Sequence, residues 1–494
     1  MSVVPEHSAA ASDRPRPLRD LRDLPTPPGL PFFGHGLAVE PERFHQQLEA
    51  WRAQLGDPFR VKLGAREFLV TGQPEAIAAV LRDRPETFGR TARIVEVSRE
   101  LGFPGLFSVN GETWRRQRPM VMAALDPGHI RSYFPSLVRV TERFARRWDG
   151  FAARGEAIEL QSDLMRYTVD VIAGLAFGAD INTVESDGDR IQQHLDQLLP
   201  ALFRRVLAPL PLWRWFPSAA DRRIAGHVAE VAKAVQGFIG QARARLEADP
   251  ALREQPRNLV EAMLVARDRP ASGLTDTDVA GNVMTMLLAG EDTTANTLAW
   301  GIWLLARHPE ALARATAEVR SVLGPARWPS SLEQSARLEF VEACMHETMR
   351  LKPVAPMIVQ QAHRPTQVAG VALPAGSFVT LLMRGGALDE RHFAEPARFE
   401  PERWLAGSEG AAADAGSAKR VAMPFGAGPR ICPGRYLALH EMKMVMAMLL
   451  AGFEIDGVDT PDGGAARERL ALTMSPVGLR LRLRLSRPAA TGAA

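Results

Sequence analysis

The chain has 494 residues, 46% of them hydrophobic and 24% charged, with a formal net charge of +3 at neutral pH. That is material for a large folded core, and the basic excess is too small, with no basic run interleaved with aromatics, to argue for nucleic-acid binding. The two cysteines, Cys344 and Cys432, stand in unrelated contexts, which argues against a disulfide framework and fits a reducing, cytoplasmic setting.

Residues 1–24 are charged and poor in apolar side chains, and read as a disordered tail with neither signal sequence nor anchor. No later stretch reaches the ~18 uninterrupted apolar residues of a spanning helix. A proline-rich lead-in occupies Leu24–Gly36, Phe59–Thr71 reads as a β-hairpin, and Pro74–Leu81 as a helix. A further helix with its lead-in covers Gly105–Leu125 and places Trp114 and Arg118 on one face. Helical periodicity then runs from Ile130 to about Leu246, broken at Leu207–Ser218 by LAPLPLWRWFPS. Trp213, Trp215 and Phe216 in that break either pack back as a lid or dock on a membrane surface.

From Leu274 to Pro309 the pattern predicts a single helix of about 48 Å at ~1.5 Å per residue, capped by Thr275 or Asp276 and ended by Pro309. It is mostly apolar yet carries Glu291, Asp292, Thr293 and Thr294 at its middle. A buried acid costs several kcal/mol unless it is paired, so its presence there marks a task. A threonine bonding back to a carbonyl would also bend the helix. Glu347 and Arg350 follow one turn apart, a spacing that any surface helix can carry. VALPAG and SFVTLLM read as strands, Ala406–Lys419 as a low-complexity surface loop, and GLRLRLRL as a final strand. No internal repeat is present.

The stretch FGAGPRICPG, Phe425–Gly434, has too many glycines and prolines for a helix or strand interior. Pro433 suits the first position of a helix that runs to Gly452. Cys432 would then sit at a helix N-terminus, where the dipole and free N–H groups lower a thiol pKa. The plainer reading is a buried cysteine in a glycine-rich turn.

These residues resemble the haem-binding loop of cytochrome P-450 monooxygenases, FxxGxRxCxG, which Phe425, Gly428, Arg430, Cys432 and Gly434 fill in order. The resemblance covers about residues 25–486. It implies a mainly α fold with small β-sheets, a single haem-thiolate domain with a long central helix over the haem, and a C-terminal tail at 487–494. It implies haem b as cofactor, Cys432 as the metal ligand, and Trp114, Arg118, Ala289, Phe425, Gly426, Arg430 and Gly434 as cofactor-binding residues. Ala289, Gly290, Asp292, Thr293 and Thr294 resemble the family's (A/G)Gx(D/E)T(T/S) motif. That motif implies room for dioxygen beside Ala289 and Gly290, and proton delivery by Asp292 and Thr293. Glu347 and Arg350, with Arg403 of FEPERW, resemble a buried structural network. Substrate contacts are implied at Phe107, Val354, Ala355, Met357, Leu472 and Thr473, besides Ala289 and Thr293. That set is mostly apolar and suits a fatty acid, terpene or steroid-like molecule.

The implied activity is insertion of one oxygen atom of dioxygen into a hydrophobic substrate by a monomeric enzyme of the bacterial type, with electrons from NAD(P)H through a separate ferredoxin or flavodoxin. Arg115, Arg116 and Arg435 are the expected docking cations. Two departures stand out. Where the family often has RxA this chain has Gln360–Ala362, with His363 or Arg364 as substitutes, and Leu388 replaces a frequent arginine or asparagine. A peroxide-driven or isomerising haem-thiolate enzyme and a non-catalytic haem sensor are the rival readings, and the acid–threonine pair argues against both.

Overall fold

The computed structural model of the chain describes residues 17–30, 34–178, 180–186, 190–405 and 415–486. Most of both expected tails and of the Ala406–Lys419 loop therefore lies outside the described residues. Strand β1 (Arg19–Asp20) is followed by α1 (Phe44–Leu55), β2 (Phe59–Leu63), β3 (Arg66–Thr71), α2 (Pro74–Arg82), β4 (Phe88–Gly89) and α3 (Ala92–Glu100). The helical body comprises α4 (Gly111–Ala124), α5 (Pro127–Arg154), the short β5 (Ile158–Glu159), α6 (Leu160–Phe177), α7 (Arg190–Leu195), α8 (Leu198–Leu207) and α9 (Ala219–Ala248). It continues through α10 (Leu259–Asp268), α11 (Asp276–Ala306), α12 (Pro309–Leu323), α13 (Leu332–Ala336) and α14 (Glu339–Leu351). The last third holds β6 (Met357–Ala362), β7 (Thr366–Val368), β8 (Val371–Leu373), β9 (Phe378–Leu382), α15 (Met383–Ala387) and α16 (Ala415–Ala422). It ends with α17 (Arg435–Gly452), β10 (Phe453–Asp459), β11 (Glu468–Ala471), β12 (Thr473–Pro476) and β13 (Arg480–Leu485).

The fold is mainly helical with four small sheets, as expected. The five-stranded sheet has the order β2-β3-β9-β6-β4, parallel only between β3 and β9. The others are β1-β8-β7, β10-β13-β5 and the hairpin β11-β12. Ordered structure begins ahead of residue 25, since β1 pairs with β8 and Leu24 is buried. Helix α16 also takes up residues 415–422, where the composition reads as loop to Lys419.

Helix α11 runs 31 residues, about 46 Å at ~1.5 Å per residue. Its start is fixed by a reciprocal box: the Thr275 hydroxyl accepts from the Asp278 N–H while the Asp278 carboxylate accepts from the Thr275 N–H. It ends at Ala306, and Pro309, expected to stop it, instead opens α12 from the N1 position. The helix is a core element, packed on α6, α14 and α17. A Cβ on Gly290 would lie 3.0 Å from Ile172 of α6, so this glycine allows close packing of the two helices. No helix among the described residues is long and apolar enough to cross a membrane.

Candidate functional site

Cys432 lies in the loop between α16 and α17. Gly426 and Gly428 take φ of 73° and 70°, a region that costs other residues strain, and a Cβ on Gly428 would lie 2.6 Å from the Arg82 Cα. The loop therefore packs against the end of α2, and the Cys432 N–H closes it by donating to the Phe425 carbonyl at 2.9 Å. Helix α17 begins at Arg435 with Gly434 as its cap, so Pro433 precedes the helix and does not open it. The sulfur receives the backbone N–H groups of Gly434 and Arg435. Burial nevertheless pushes the thiol up; those N–H groups and the charges of Arg118 and Arg435 only partly offset it. Desolvation thus outweighs the lowering expected from the helix terminus.

Four arginines converge beside this loop. Trp114 and Arg118 share a face of α4 as expected, with the guanidinium 6.0 Å from the ring centre. Arg118 donates to the Ile431 carbonyl at 2.8 Å, and Arg430 stacks 5.1 Å from the same indole and donates to the Val109 carbonyl. Arg84 bonds the carbonyls of Leu81 and Ala427 at 3.0 and 3.1 Å. Arg90 bonds the Phe107 carbonyl at 2.8 Å and lies over the Phe107 ring at 4.3 Å. Among the described residues none of the four has a carboxylate partner. Desolvation, then mutual repulsion, pulls Arg430 down to about 8 and Arg84 to about 9, and desolvation takes Arg90 to about 10. Partly desolvated cations facing one another need an anion, and a haem, with two propionates and a metal for the sulfur, fits this donor set.

Sequence reasoning missed Arg84 and Arg90, which belong to none of the motifs read there. Arg90 lies close to the first departure. β4 pairs with β6 at Gly89–Gln361, so Arg90 follows directly beside the strand that lacks the family's arginine. Gln360 itself is fully buried and bonds the Val359 carbonyl. Of the two expected substitutes, His363 feels the charge of Arg430, whereas Arg364 bonds the Thr87 hydroxyl at 2.7 Å and faces Asp83. Leu388 is 41% exposed and takes no part.

Between Met286 and Leu305, α11 is buried except at Ala289, Gly290, Asp292 and Thr293, which form an open notch. The Thr293 hydroxyl donates back to the Ala289 carbonyl at 2.8 Å. Burial pushes the Asp292 carboxyl up, against hydrogen bonds with Thr473 and Asn296 and the charge of Arg469. A second acid outside the expected set, Asp196 between α7 and α8, is pushed up to about 6 by desolvation; its bond with Glu291 lowers it and Asp292 raises it. The expected substrate positions lie on three segments, of which one reaches this notch. The Leu472–Thr473 turn reaches Asp292, and the Met474 N–H donates to the Val354 carbonyl at 2.8 Å, carrying Ala355 and Met357 with it. Phe107 is placed by the Leu106 N–H, which donates to Asn282 of α11 at 2.9 Å.

Glu347 and Arg350 are fully buried, and Arg350 donates to both Glu347 oxygens at 2.8 and 2.7 Å. The Arg403 Nε lies 3.4 Å from Glu347, and Trp404 and the Glu400 N–H donate to it at 2.9 Å each. Arg350 also holds the carbonyls of Ala387, Pro396 and Arg398. Arg115 is exposed, as expected, but already paired with Glu86 and Glu112, and Arg116 turns toward Asp278 at 4.0 Å, while Arg435 is exposed. Cys344 is plain core.

The family profile that matches is Cytochrome P450, over residues 24–480. The chain is similar to the pentalenene oxygenase of Streptomyces avermitilis, 27% identical with 94% of this chain and 98% of the relative covered. It is also similar to the cyclooctat-9-en-7-ol 5-monooxygenase of Streptomyces melanosporofaciens, 28% identical over 92% and 93% of the two chains. Among solved structures it resembles the haem domain of cytochrome P450DA, with a TM-score of 0.81 at 23% identity, covering 96% of this chain and 99% of that one.

Proposed function

The chain belongs to the cytochrome P450 family and is a haem-dependent monooxygenase, and we propose that Cys432 is the residue whose sulfur would hold its haem. The observation that carries this is the Cys432 sulfur under two backbone N–H groups, beside four arginines that have no carboxylate among the described residues. Arg118 and Arg430, joined by Arg84 and Arg90, would hold the two propionates, and Trp114 stacks against the first pair. Bound there, the haem supplies dioxygen activation and oxygen-atom transfer, and the thiolate's electron donation favours O–O cleavage.

The chain's own part is binding, orientation and proton control. Ala289 keeps the notch open because its side chain is a single methyl. The Thr293 hydroxyl proton is engaged by the Ala289 carbonyl, which leaves the Oγ1 lone pairs to accept a proton and pass one on. The Asp292 carboxyl, pushed up by burial, is the group one residue away that holds that proton. Phe107, Val354, Ala355, Met357, Leu472 and Thr473 form the wall that takes a hydrophobic substrate. Support comes from relatives named for oxygenating pentalenene and cyclooctat-9-en-7-ol. Electrons arrive from NAD(P)H through a separate ferredoxin or flavodoxin at the exposed Arg435, beside the cysteine.

A library of apolar ligands screened by the Soret shift of the ferric protein tests the substrate class. NADPH oxidation and product formation with a ferredoxin–reductase pair test the turnover. A ferric protein that shifts with no apolar ligand sinks the substrate reading, and one that turns over with peroxide but never with NADPH sinks the electron-donor reading.

A further inference from the structure

The β11–β12 hairpin has two faces of different character. Its register pairs Arg469 with Ser475, Leu470 with Met474 and Ala471 with Thr473. Paired residues share a face, and successive ones alternate. Leu470 and Met474 are therefore on one face, buried in the core. Glu468 shares that face and is taken up by His45, Lys352 and Arg384. Arg469, Ala471, Thr473 and Ser475 share the other face. It is turned toward the notch of α11, because Thr473 hydrogen-bonds Asp292. Arg469 stands on it two residues back from Ala471 at the turn, about 7 Å along a strand that rises ~3.4 Å per residue.

Arg469 is exposed, and its guanidinium makes no hydrogen bond or ion pair among the described residues. The acids of its own segment are used elsewhere: Asp462 faces Arg467 at 3.7 Å, and Glu468 lies on the opposite face of the hairpin. Asp292 feels the charge of Arg469, yet burial pushes its carboxyl toward the neutral form, which makes it a poor counter-ion. The surroundings are otherwise uncharged. β12 packs on α11, β11 packs on α8, and the Met474 N–H ties the hairpin to the Val354 carbonyl at 2.8 Å. Val354, Ala355, Met357 and Leu472, the expected wall, carry no charge. A mostly apolar wall with one free cation at its margin suits a ligand that brings its own anion on an apolar body.

Resting on the reading that this wall takes an apolar substrate, we propose that Arg469 binds a carboxylate of that substrate, so that the natural substrate is an amphipathic carboxylic acid and not a neutral hydrocarbon or alcohol. The planar guanidinium offers two parallel N–H groups, which match the two oxygens of a carboxylate. A phosphate ester, close to doubly charged at neutral pH, calls for a second cation, and this face of the hairpin carries one. Held at Arg469, the acid would lay its apolar body along the hairpin toward the Leu472–Thr473 turn and the notch beyond it. Arg469 is thereby a specificity-determining residue, and it takes no part in proton delivery.

The test titrates the ferric holoprotein at neutral pH with dodecanoic, abietic and cholanic acids, each beside its methyl ester, and reads Kd from the Soret shift. At least one acid should bind about tenfold or more tightly than its ester, and added salt should narrow the gap. Arg469→Gln should erase the gap by weakening the acid, with the Kd of the ester, the haem content and the melting temperature unchanged. Arg469→Lys should keep part of it, since the charge stays and the fork is lost. Esters that bind as well as their acids overturn the proposal and leave the apolar-substrate reading standing. So does a preference for the acid that Arg469→Gln retains. If neither acids nor esters shift the band, the apolar-substrate reading fails and this proposal falls with it.

Discussion

At Cys432 two opposed effects meet: burial holds the proton on the sulfur, while Gly434, Arg435 and Arg118 favour its loss. Replacing the sulfur leaves the loop, since the closing bond is made by the backbone. Cys432→Ser should therefore fold and lose the thiolate-type spectrum of the reduced carbonyl complex, and its persistence would remove the ligand assignment. Thr293→Ala deletes the one hydroxyl in the notch of α11 without touching the expected apolar wall. It should bind substrate with a Soret shift like the wild type and divert most electrons to peroxide, read as product formed per NADPH. Pro433 has no N–H, so the sulfur's backbone donors start at Gly434. Because α17 starts only at Arg435, a helix-opening role does not account for this proline. Pro433→Ile restores a donor at similar apolar size, draws charge from the sulfur, and should raise the reduction potential of the holoprotein. A redox titration with an equal or lower midpoint would mean that the N–H at 433 points elsewhere.

Elements that carry their own local signal were legible. The Thr275 cap of α11, the β2–β3 hairpin and the RLRLRL strand all announce themselves within a few residues, and so does the glycine–proline loop around Cys432. The Glu347–Arg350 pair of α14 carries little signal by spacing alone; its place ahead of the cysteine loop made it readable, and the pair is fully buried. Glu347→Gln would leave the buried Arg350 short of a counter-charge, while Arg403 keeps Glu400 at 2.6 Å; the loss of about 3–5 kcal/mol should yield little soluble holoprotein. Normal yield with an unchanged melting temperature would show that the pair is dispensable to the fold. What could not be read lies between elements. Arg84 and Arg90 become cofactor candidates only because β4 pairs with β6 and the cysteine loop packs on α2. Asp196 matters only because the α7–α8 break is folded onto α11. The close approach of Gly290 to Ile172 could not be read either, because the two lie more than a hundred positions apart.

On the scale of the whole molecule, buried acids in two layers give stability opposite dependences on pH. Glu468 of β11 accepts from His45 of α1 at 2.8 Å, from Lys352 after α14 at 2.6 Å and from Arg384 of α15 at 2.7 Å. Desolvation pushes its carboxyl up, but bonds from His45 and Arg384 and the charges of Arg384 and Lys352 outweigh that and hold it far below the usual carboxylate range. A carboxyl lowered on folding contributes stability above its unfolded pKa, and that contribution is lost as the pH falls below it. Glu441 of α17 behaves in the opposite way. It is buried against Thr294 of α11, and desolvation, only partly countered by that hydrogen bond, pushes it up to about 8. The folded protein then keeps a proton that the unfolded chain releases above about pH 4.3. Its contribution is therefore complete below that pH, shrinks as the pH rises, and stops changing once Glu441 itself ionises near 8. At about 1.4 kcal/mol per pKa unit the loss amounts to several kcal/mol. Glu441→Gln has no proton to release and keeps a partner for Thr294. Other groups titrate alike in both proteins, so the difference between them isolates this one. The wild-type melting temperature should fall relative to the Glu441→Gln variant between pH 5 and pH 8, and the two should run parallel above that range. Parallel curves from pH 5 upward would mean that Glu441 is already ionised in the fold and that its burial is matched by a cation.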